Sequence, residues 1–310
     1  MQCGLIIMII TTMIITFLYI TKCIDTKKRY SLINLKMNYI DAKKSICHGS
    51  DLEIHHHSGF CSCCSVTLRN IINSIRENNV APIIIDVQDA FNEYKEKSQS
   101  LSQWFLDPKY SFAELITGPN TFMQSRNDIF QHWFENDPYI FDVTAFQIII
   151  NSYFKPNTEI VELKNHFKVK YNINPSETLF LYYRGTDKSM EMSRTPVELM
   201  IEKCKEVNNN LTILVQSDEP TFVERVKNEF PNVKQIEDLE ARGDNNLEKR
   251  NKHSKDLLAS VLIASECNTI VMTTGNVSLW MLLYRGNKKN TYQYYHPMNK
   301  ETGEFLKLEE

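Results

Sequence analysis

The chain contains little glycine and little proline, with 9 and 10 residues respectively among 310. It also has no excess of basic charge, because its formal net charge is -3. Nonspecific binding to nucleic acid needs a basic surface that neutralises phosphates, so this balance argues against a nucleic-acid partner. Internal repeats of solenoid length and long low-complexity tracts are absent, which excludes a repeat array. A composition of 42% hydrophobic and 24% charged residues predicts ordinary globular domains.

A motif for holding a metal diphosphate is also lacking, since no Asp-x-Asp pair occurs. The stretch from His55–His57 to Cys61, Cys63 and Cys64 raises the hypothesis of a Cys/His metal site. Its spacing argues against that hypothesis, because structural zinc sites usually separate paired cysteines by two to four residues. Elsewhere Cys204 and Cys267 lie in apolar patterns, where buried cysteines are common. We therefore predict no metal site and place these last two cysteines in the core.

The first twenty residues carry no charge and are mostly apolar. The run LIIMIITTMIITFLYI, residues 5–20, is close to the minimum length for spanning a bilayer. We predict a transmembrane anchor over residues 1–21, followed by a polar stem over residues 22–50. The alternative is a cleaved signal peptide, although the run lacks a preceding basic region and a clear small-residue cleavage site.

The orientation of this anchor stays open. Four basic residues follow the apolar run, namely Lys22, Lys27, Lys28 and Arg29. The positive-inside rule would leave the folded part on the cytoplasmic side. Two sequons, at Asn210 and Asn276, would be glycosylated only in a secretory lumen. The predicted localisation is therefore a single-pass membrane protein whose side of the membrane is undecided.

Apolar periodicity beyond the stem predicts an α/β protein with two domains, over residues 51–165 and 166–310. The first begins with a loop at IHHHSGFCSCCS, a helix at VTLRNIINSIRENN and a strand at APIIIDV. Further helices are predicted at FDVTAFQIIINSYF and ELKNHFKVKYNI. Residues 92–140 show no clear pattern, and their irregularly spaced aromatic residues are predicted to pack in the core: Trp104, Phe105, Trp133 and Phe134.

From Thr178 onward, predicted strands and helices alternate. The strands are TLFLYY, TILVQS, VKQI and TIVMTT. The helices are about Pro196–Val207 and Thr221–Phe230, then DLLASVLIASEC and VSLWMLLYR. Strands joined by helical crossovers predict a doubly wound parallel sheet. Ligands of such sheets bind outside the carboxyl ends of the strands.

Three of these strands end in polar residues suited to binding a nucleotide. Arg184 offers a planar fork of donors for phosphate and Lys188 a point charge, while Gly185 allows close approach of the backbone. Asp218 follows the second strand as a candidate base or ribose ligand. The turn at Thr274, Gly275 and Asn276 opens the last helix, whose free N–H groups suit an anion. Helix capping is the alternative role for Asp218, Thr274 and Asn276.

The sequence resembles a known family. YYRGTDK is similar to the H-x-R-R-T-D-K box of the α1,6-fucosyltransferases and nodulation fucosyltransferases, and VQSDEPTFVERVKNEFP resembles their A-T-D-D-P segment. The segment LLASVLIASECNTIVMTTGNVSLWMLLYR resembles their third box and the N-S-S-F-S-W-W turn of α1,2-fucosyltransferases. GFCSCCSVTLRNII resembles the glycine loop and helix that open their first domain. The resemblance covers roughly residues 58–290.

This resemblance implies a GT-B fold of two Rossmann-like domains with doubly wound parallel sheets. The N-terminal domain would face the acceptor, and the C-terminal domain would bind the nucleotide sugar. The implied activity is metal-independent, inverting transfer of fucose or a related sugar from a GDP-sugar to a glycan or glycoprotein. The family also implies an endomembrane lumen of the Golgi or endoplasmic reticulum.

Carried over by position, Arg184 would hold the diphosphate and Lys188 would assist its departure. Tyr182 stands where the family has a histidine that helps seat the guanosine, and Gly185 replaces a second arginine. Met192 occupies the position of the catalytic glutamate, with Glu191 beside it. The aspartate that reads the base falls near Ser260, with Asp256 one helical turn earlier.

These departures leave two interpretations. In the first, the protein is a glycosyltransferase in which Glu191 or Asp187 is the general base, although Asp187 could instead only orient Lys188. In the second, it is a catalytically inactive, membrane-anchored protein of the same fold that binds glycans or serves a structural role. Product formation from a panel of GDP-sugars distinguishes them.

Overall fold

The structure is a computed structural model, and all the residues that it describes lie within one compact unit, Ser45–Glu310. The predicted anchor and stem lie outside the described residues. Among the residues that are described, no helix is both long and apolar enough to cross a membrane. The described residues are 46–48, 51–54, 56, 58–78, 81–82, 84–86, 91–95, 101–106, 143–185, 194–239, 246–295 and 303–308.

A small three-stranded sheet opens this unit. Strand β1 (Ile46–His48) runs antiparallel to β2 (Asp51–Glu53), and β2 runs parallel to β3 (Ile84–Asp86). Helix α1 (Phe60–Asn78) connects β2 to β3. Its apolar residues recur every three or four positions, as in an amphipathic helix, and are buried: Leu68, Ile71, Ile72 and Ile75.

Helix α1 begins earlier than the sequence pattern predicts. The CSCC stretch, interpreted above as part of a loop, forms the first turn of the helix after Gly59. Phe60 accounts for the difference, because it packs at 5.2 to 5.8 Å between ring centroids against Phe91, Tyr94 and Trp104. These aromatic contacts bury the first turn and override the polar, loop-like pattern before it.

A second, larger sheet carries the main architecture. Its strands in chain order are β4 (Thr178–Tyr183), β5 (Thr212–Ser217), β6 (Val233–Lys234), β7 (Thr269–Thr273), β8 (Thr291–Tyr295) and β9 (Glu304–Leu308). Their order in space is β6-β5-β4-β7-β8-β9, with the first five parallel and β9 antiparallel to β8. The doubly wound parallel sheet predicted from the sequence is thus confirmed for this part of the chain.

Helices cover both faces of this sheet, so β4 has six consecutive buried residues. Helices α4 (Val197–Val207) and α5 (Pro220–Glu229) pack on one face. The other face is covered by α3 (Thr158–Lys170), α6 (Leu247–Glu266) and α7 (Asn276–Arg285). Helix α2 (Gln147–Tyr153) precedes α3 and follows the 3-10 turn Thr144–Phe146. The described residues also include 3-10 turns at Leu101–Gln103 and Pro175–Glu177.

The core on the second face is continuous with the core of the small sheet. Leu52, Phe180 and Leu308 belong to the same cluster of buried residues. Trp104 and Phe105 are 0% and 2% exposed, which confirms that they pack in the core. Trp133 and Phe134 lie outside the described residues. The predicted domain boundary at residue 165 stays a prediction.

The order of the strands determines where a ligand can enter. Numbered from β4, the larger sheet has the order 3-2-1-4-5-6 of the classical dinucleotide-binding sheet. From β4 the successive strands are added on one side of the sheet as far as β6, and from β7 they are added on the other side. Sheets of this kind bind ligands in the crevice outside the carboxyl ends of the two strands at which the order reverses, here β4 and β7. Arg184 follows β4, and Thr274 follows β7.

Candidate nucleotide site

Hydrogen bonds from backbone N–H groups to side-chain oxygens connect three strand ends of the larger sheet. The N–H of Arg184 donates to Thr273 Oγ1 at 3.2 Å, joining the ends of β4 and β7. The next N–H, that of Gly185, donates to Asp218 Oδ1 at 2.9 Å, joining β4 to the end of β5. The structure therefore brings together the residues after all three strands, as the sequence predicts. Asp218 here binds the β4 turn as well as preceding α5.

Tyr182 and Arg184 lie on the side of the sheet that faces α1. Burial raises the pKa of the Tyr182 phenol, and the charge and hydrogen bond of Arg184 offset part of this effect. Burial also raises the pKa of Cys61 to about 12, again with a smaller opposing effect from Arg184. The charge of the Arg184 guanidinium thus opposes the rise in the pKa of both the Tyr182 phenol and the Cys61 thiol, which lies in the first turn of α1. A neutral phenol at this position can donate a hydrogen bond but carries no charge to attract or repel a diphosphate.

Gly185 lies against side chains on the opposite face. A Cβ at this position would overlap the carboxylate of Glu219 and lie 2.6 Å from Tyr183 Cε1. Arg194 forms an ion pair with Glu219 and donates from Nε to the Tyr183 hydroxyl at 3.1 Å. A side chain at position 185 therefore has no room unless Glu219 or Tyr183 moves, and Arg194 contacts both of these residues.

The turn after β7 is held by its own side chains. Thr274 Oγ1 donates to Tyr294 O at 2.8 Å and accepts from Gln293 Nε2 at 2.5 Å. Nothing lies within 4 Å of a Cβ built on Gly275, so open space adjoins the start of α7. Helix α7 begins at Asn276, and its first N–H groups have no carbonyl partner within the helix. The Thr274 hydroxyl therefore holds this turn in place. The backbone N–H groups at the start of α7 are the donors suited to bind an anion.

Asp256 lies on α6, the helix covering the Tyr182 face, rather than at a strand end. It is 3% exposed and forms an ion pair with Lys252 at 2.5 Å. Ser260, one turn later, is 2% exposed. Both belong to the buried side of the helix, and the prediction that one of them binds a nucleobase stays a prediction.

Three predicted catalytic residues lie outside the described residues, namely Asp187, Lys188 and Glu191. Met192 also lies there. The described chain resumes at Arg194, whose contacts with Glu219 and Tyr183 return the chain to the end of β4. The catalytic assignments therefore stay predictions.

The cysteines of the hypothetical metal site lie on α1. Cys61, Cys63 and Cys64 are all buried, and Cys63 Sγ donates to Ser58 O at 3.5 Å. His56 contacts Ser62 Oγ at 3.1 Å. His55 and His57 lie outside the described residues. No three metal-ligating side chains cluster within the part of the chain that the structure describes.

Three residues at or beside the site are not among the predicted site residues: Thr273, Arg194 and Gln216. Thr273 and Gln216 fall near the ends of predicted strands, and Arg194 falls between a predicted strand and a predicted helix. Gln216 had the clearest signal, since it is a polar residue near the end of the otherwise apolar strand TILVQS.

The fold is shared with solved structures of the fucosyltransferase NodZ. These include the α-1,6-fucosyltransferase NodZ co-crystallised with GDP, with a TM-score of 0.52, and the same enzyme soaked with GDP-fucose, with a TM-score of 0.50. Fucosyltransferase NodZ from Bradyrhizobium gives a TM-score of 0.51. Each is 12% identical in sequence, and each match covers 84% of this chain and 99% of the other.

This likeness shows that the chain shares the overall α/β fold of the fucosyltransferase NodZ. At 12% identity it establishes the fold alone. No family model matches the chain, and the comparison with curated proteins finds no match.

Proposed function

We propose that this protein is a glycosyltransferase whose donor is a GDP-sugar, GDP-fucose or a close relative, and whose acceptor is a glycan hydroxyl. The observation that carries the proposal is the hydrogen-bonded junction of three strand ends. Arg184 N to Thr273 Oγ1 and Gly185 N to Asp218 Oδ1 join them at the crevice where sheets of this order bind nucleotides. The GDP and GDP-fucose complexes of NodZ support the choice of nucleotide.

Transfer from a nucleotide sugar leaves negative charge on the departing diphosphate. Arg184 and the amino-terminal end of α7 are suited to stabilise that charge, because both lie at this junction before the reaction begins. Lys188 would assist departure of the diphosphate. For inverting transfer, Glu191 or Asp187 would remove the proton of the acceptor hydroxyl as the sugar carbon accepts its oxygen and releases the diphosphate.

The test of donor binding uses Arg184→Ala and calorimetry with GDP. Loss of the guanidinium should weaken GDP binding at least tenfold, because hydrogen bonds to charged groups contribute about 1.5–3 kcal/mol. Lys203→Ala is the control, since Lys203 lies on α4 and pairs with Glu206 instead. Equal GDP affinity of Arg184→Ala and wild type would refute the assignment of the diphosphate site.

Turnover is tested with GDP-fucose, GDP-mannose and UDP-sugars, with and without EDTA. The proposal expects release of GDP that depends on an acceptor and persists in EDTA. Requirement for a divalent cation would contradict the metal-independent mechanism.

A non-catalytic, glycan-binding protein of the same fold is the second candidate. The observation favouring it is the pair of replacements Met192 and Tyr182, at the positions of the family's catalytic glutamate and of the histidine that seats the guanosine. Binding of GDP together with absence of turnover across the donor panel would support this candidate.

A further inference from the structure

Gln216 has a buried amide that the described contacts leave unsatisfied. The residue is 4% exposed, and its Oε1 has no hydrogen-bond partner among the described residues. Native proteins contain few such groups, because a buried acceptor without a donor loses its hydrogen bonds to water and gains none from the protein. A water molecule or a bound ligand would supply the donor that this oxygen lacks.

The position of Gln216 is next to the nucleotide site. It pairs with Tyr182 in the register of β5 against β4, so the two side chains share a face of the sheet. Two residues later, Asp218 holds the backbone of Gly185. In dinucleotide-binding sheets of this order, the phosphates lie at the end of the first strand, which is β4 here. The ribose of the nucleoside lies at the end of the second strand, which is β5 here. A nucleoside extending from Arg184 across β5 would therefore pass the end of the strand that carries Gln216.

A second unsatisfied amide makes a useful contrast. Gln293 lies two strands away from Tyr182 on the same face, and its Oε1 also has no partner among the described residues. However, its Nε2 holds Thr274 Oγ1, so a structural role explains its presence.

We propose that Gln216 is a specificity-determining residue that hydrogen-bonds the nucleobase of the donor. This proposal rests on the proposed function. An amide oxygen accepts from N–H groups, and the Watson–Crick edge of guanine presents two of them, on N1 and on the exocyclic amine. Uracil presents a single N–H, on N3, so the amide oxygen would favour guanine over uracil.

The experiment measures calorimetric affinities of full-length wild type and Gln216→Met for GDP, ADP, UDP and inorganic pyrophosphate. Methionine preserves the length of the side chain and removes its polar atoms. The matched control is Gln235→Met, because Gln235 follows β6, where alternation puts it on the opposite face, and its amide accepts from exposed Lys227. The expected result is a loss of about 10- to 100-fold in the preference for GDP over UDP, with pyrophosphate binding unchanged.

Stability supplies a second measurement. Because methionine replaces an unsatisfied amide by an apolar group of similar size, Gln216→Met should also raise the melting temperature by about 2–4 °C. A variant that unfolds, or one that weakens GDP, UDP and pyrophosphate by the same factor, would overturn the proposal. So would unchanged selectivity. Failure of the wild type to bind any of these nucleotides would instead refute the proposed function.

Discussion

At Gly185, local packing leaves no room for a side chain. Glu219 and Tyr183 occupy the space that a Cβ would need. We expect Gly185→Ala to destabilise the fold by about 1–3 kcal/mol, which is typical of overpacking. Urea unfolding of the purified variant measures this.

Gly275→Ala is the control for that substitution. Its Cβ would meet nothing within 4 Å, and its φ of 172° is extended backbone open to any residue. This variant should unfold within about 0.5 kcal/mol of wild type. Equal unfolding free energies for the two alanine variants would contradict this expectation, because they would mean that the Glu219 and Tyr183 side chains move aside at little cost.

The sequence predicts part of the candidate site and misses part of it, for a physical reason. Arg184, Gly185 and Asp218 follow apolar strands, and parallel strands bring their carboxyl ends to one edge. The pairing of Arg194 with Glu219 depends on the path of a loop, which carries no periodic signal. Likewise, an unsatisfied amide at Gln216 becomes visible only when its neighbours are placed.

At the scale of secondary structure, α7 and α1 are joined through one indole. Trp280 Nε1 donates to Cys61 O at 3.1 Å and lies 3.0 Å from Ser65 Oγ. Trp280→Phe keeps an aromatic ring but leaves two buried acceptors without this donor. We expect a loss of about 1–3 kcal/mol in unfolding free energy, together with weaker GDP binding, because α7 provides the helix terminus at the site.

Ser65→Ala separates the two acceptors. It removes only the hydroxyl and leaves the bond to Cys61 O, so its cost should be the smaller of the two. Unfolding in urea and calorimetry with GDP measure both variants. A larger effect for Ser65→Ala than for Trp280→Phe would contradict this account of the helix contact.

Strands buried on both faces are predicted best. The run TLFLYY matches β4 at both ends, because a β-branched threonine followed by five aliphatic or aromatic residues is typical of a buried strand. Helix α6 begins nine residues before its predicted start at Asp256, since Asn246 caps it by accepting from Glu248 N. The pair β8 and β9 was not predicted, and its polar residues are stabilised by pairing at the sheet edge.

For the molecule as a whole, the buried cysteines predict sensitivity to alkali. Burial raises the pKa of Cys61, Cys204 and Cys267 from 9.0 to about 12. The folded state therefore keeps protons that the unfolded state loses above pH 9. The contribution of these protonated thiols to the free energy of unfolding is fully present below pH 9 and is lost as the pH rises toward 12. At pH 10 each thiol should cost about 1.4 kcal/mol of stability.

Thermal unfolding in reducing buffer between pH 8 and pH 10 checks this expectation. Cys204→Ala should show a shallower decline, because one thiol fewer titrates on unfolding. A melting temperature that stays constant over this range would contradict the protonation argument.

The continuous core has a consequence for how the chain reaches its native state. The first turn of α1 meets Trp280, a separation of 219 residues in the chain. Ribosomes add about 5–20 residues per second, so α1 leaves the ribosome some 10 to 40 seconds before the helix that buries it exists. Its apolar stripe has no Trp280 to pack against through that interval, which gives early folding errors time to aggregate.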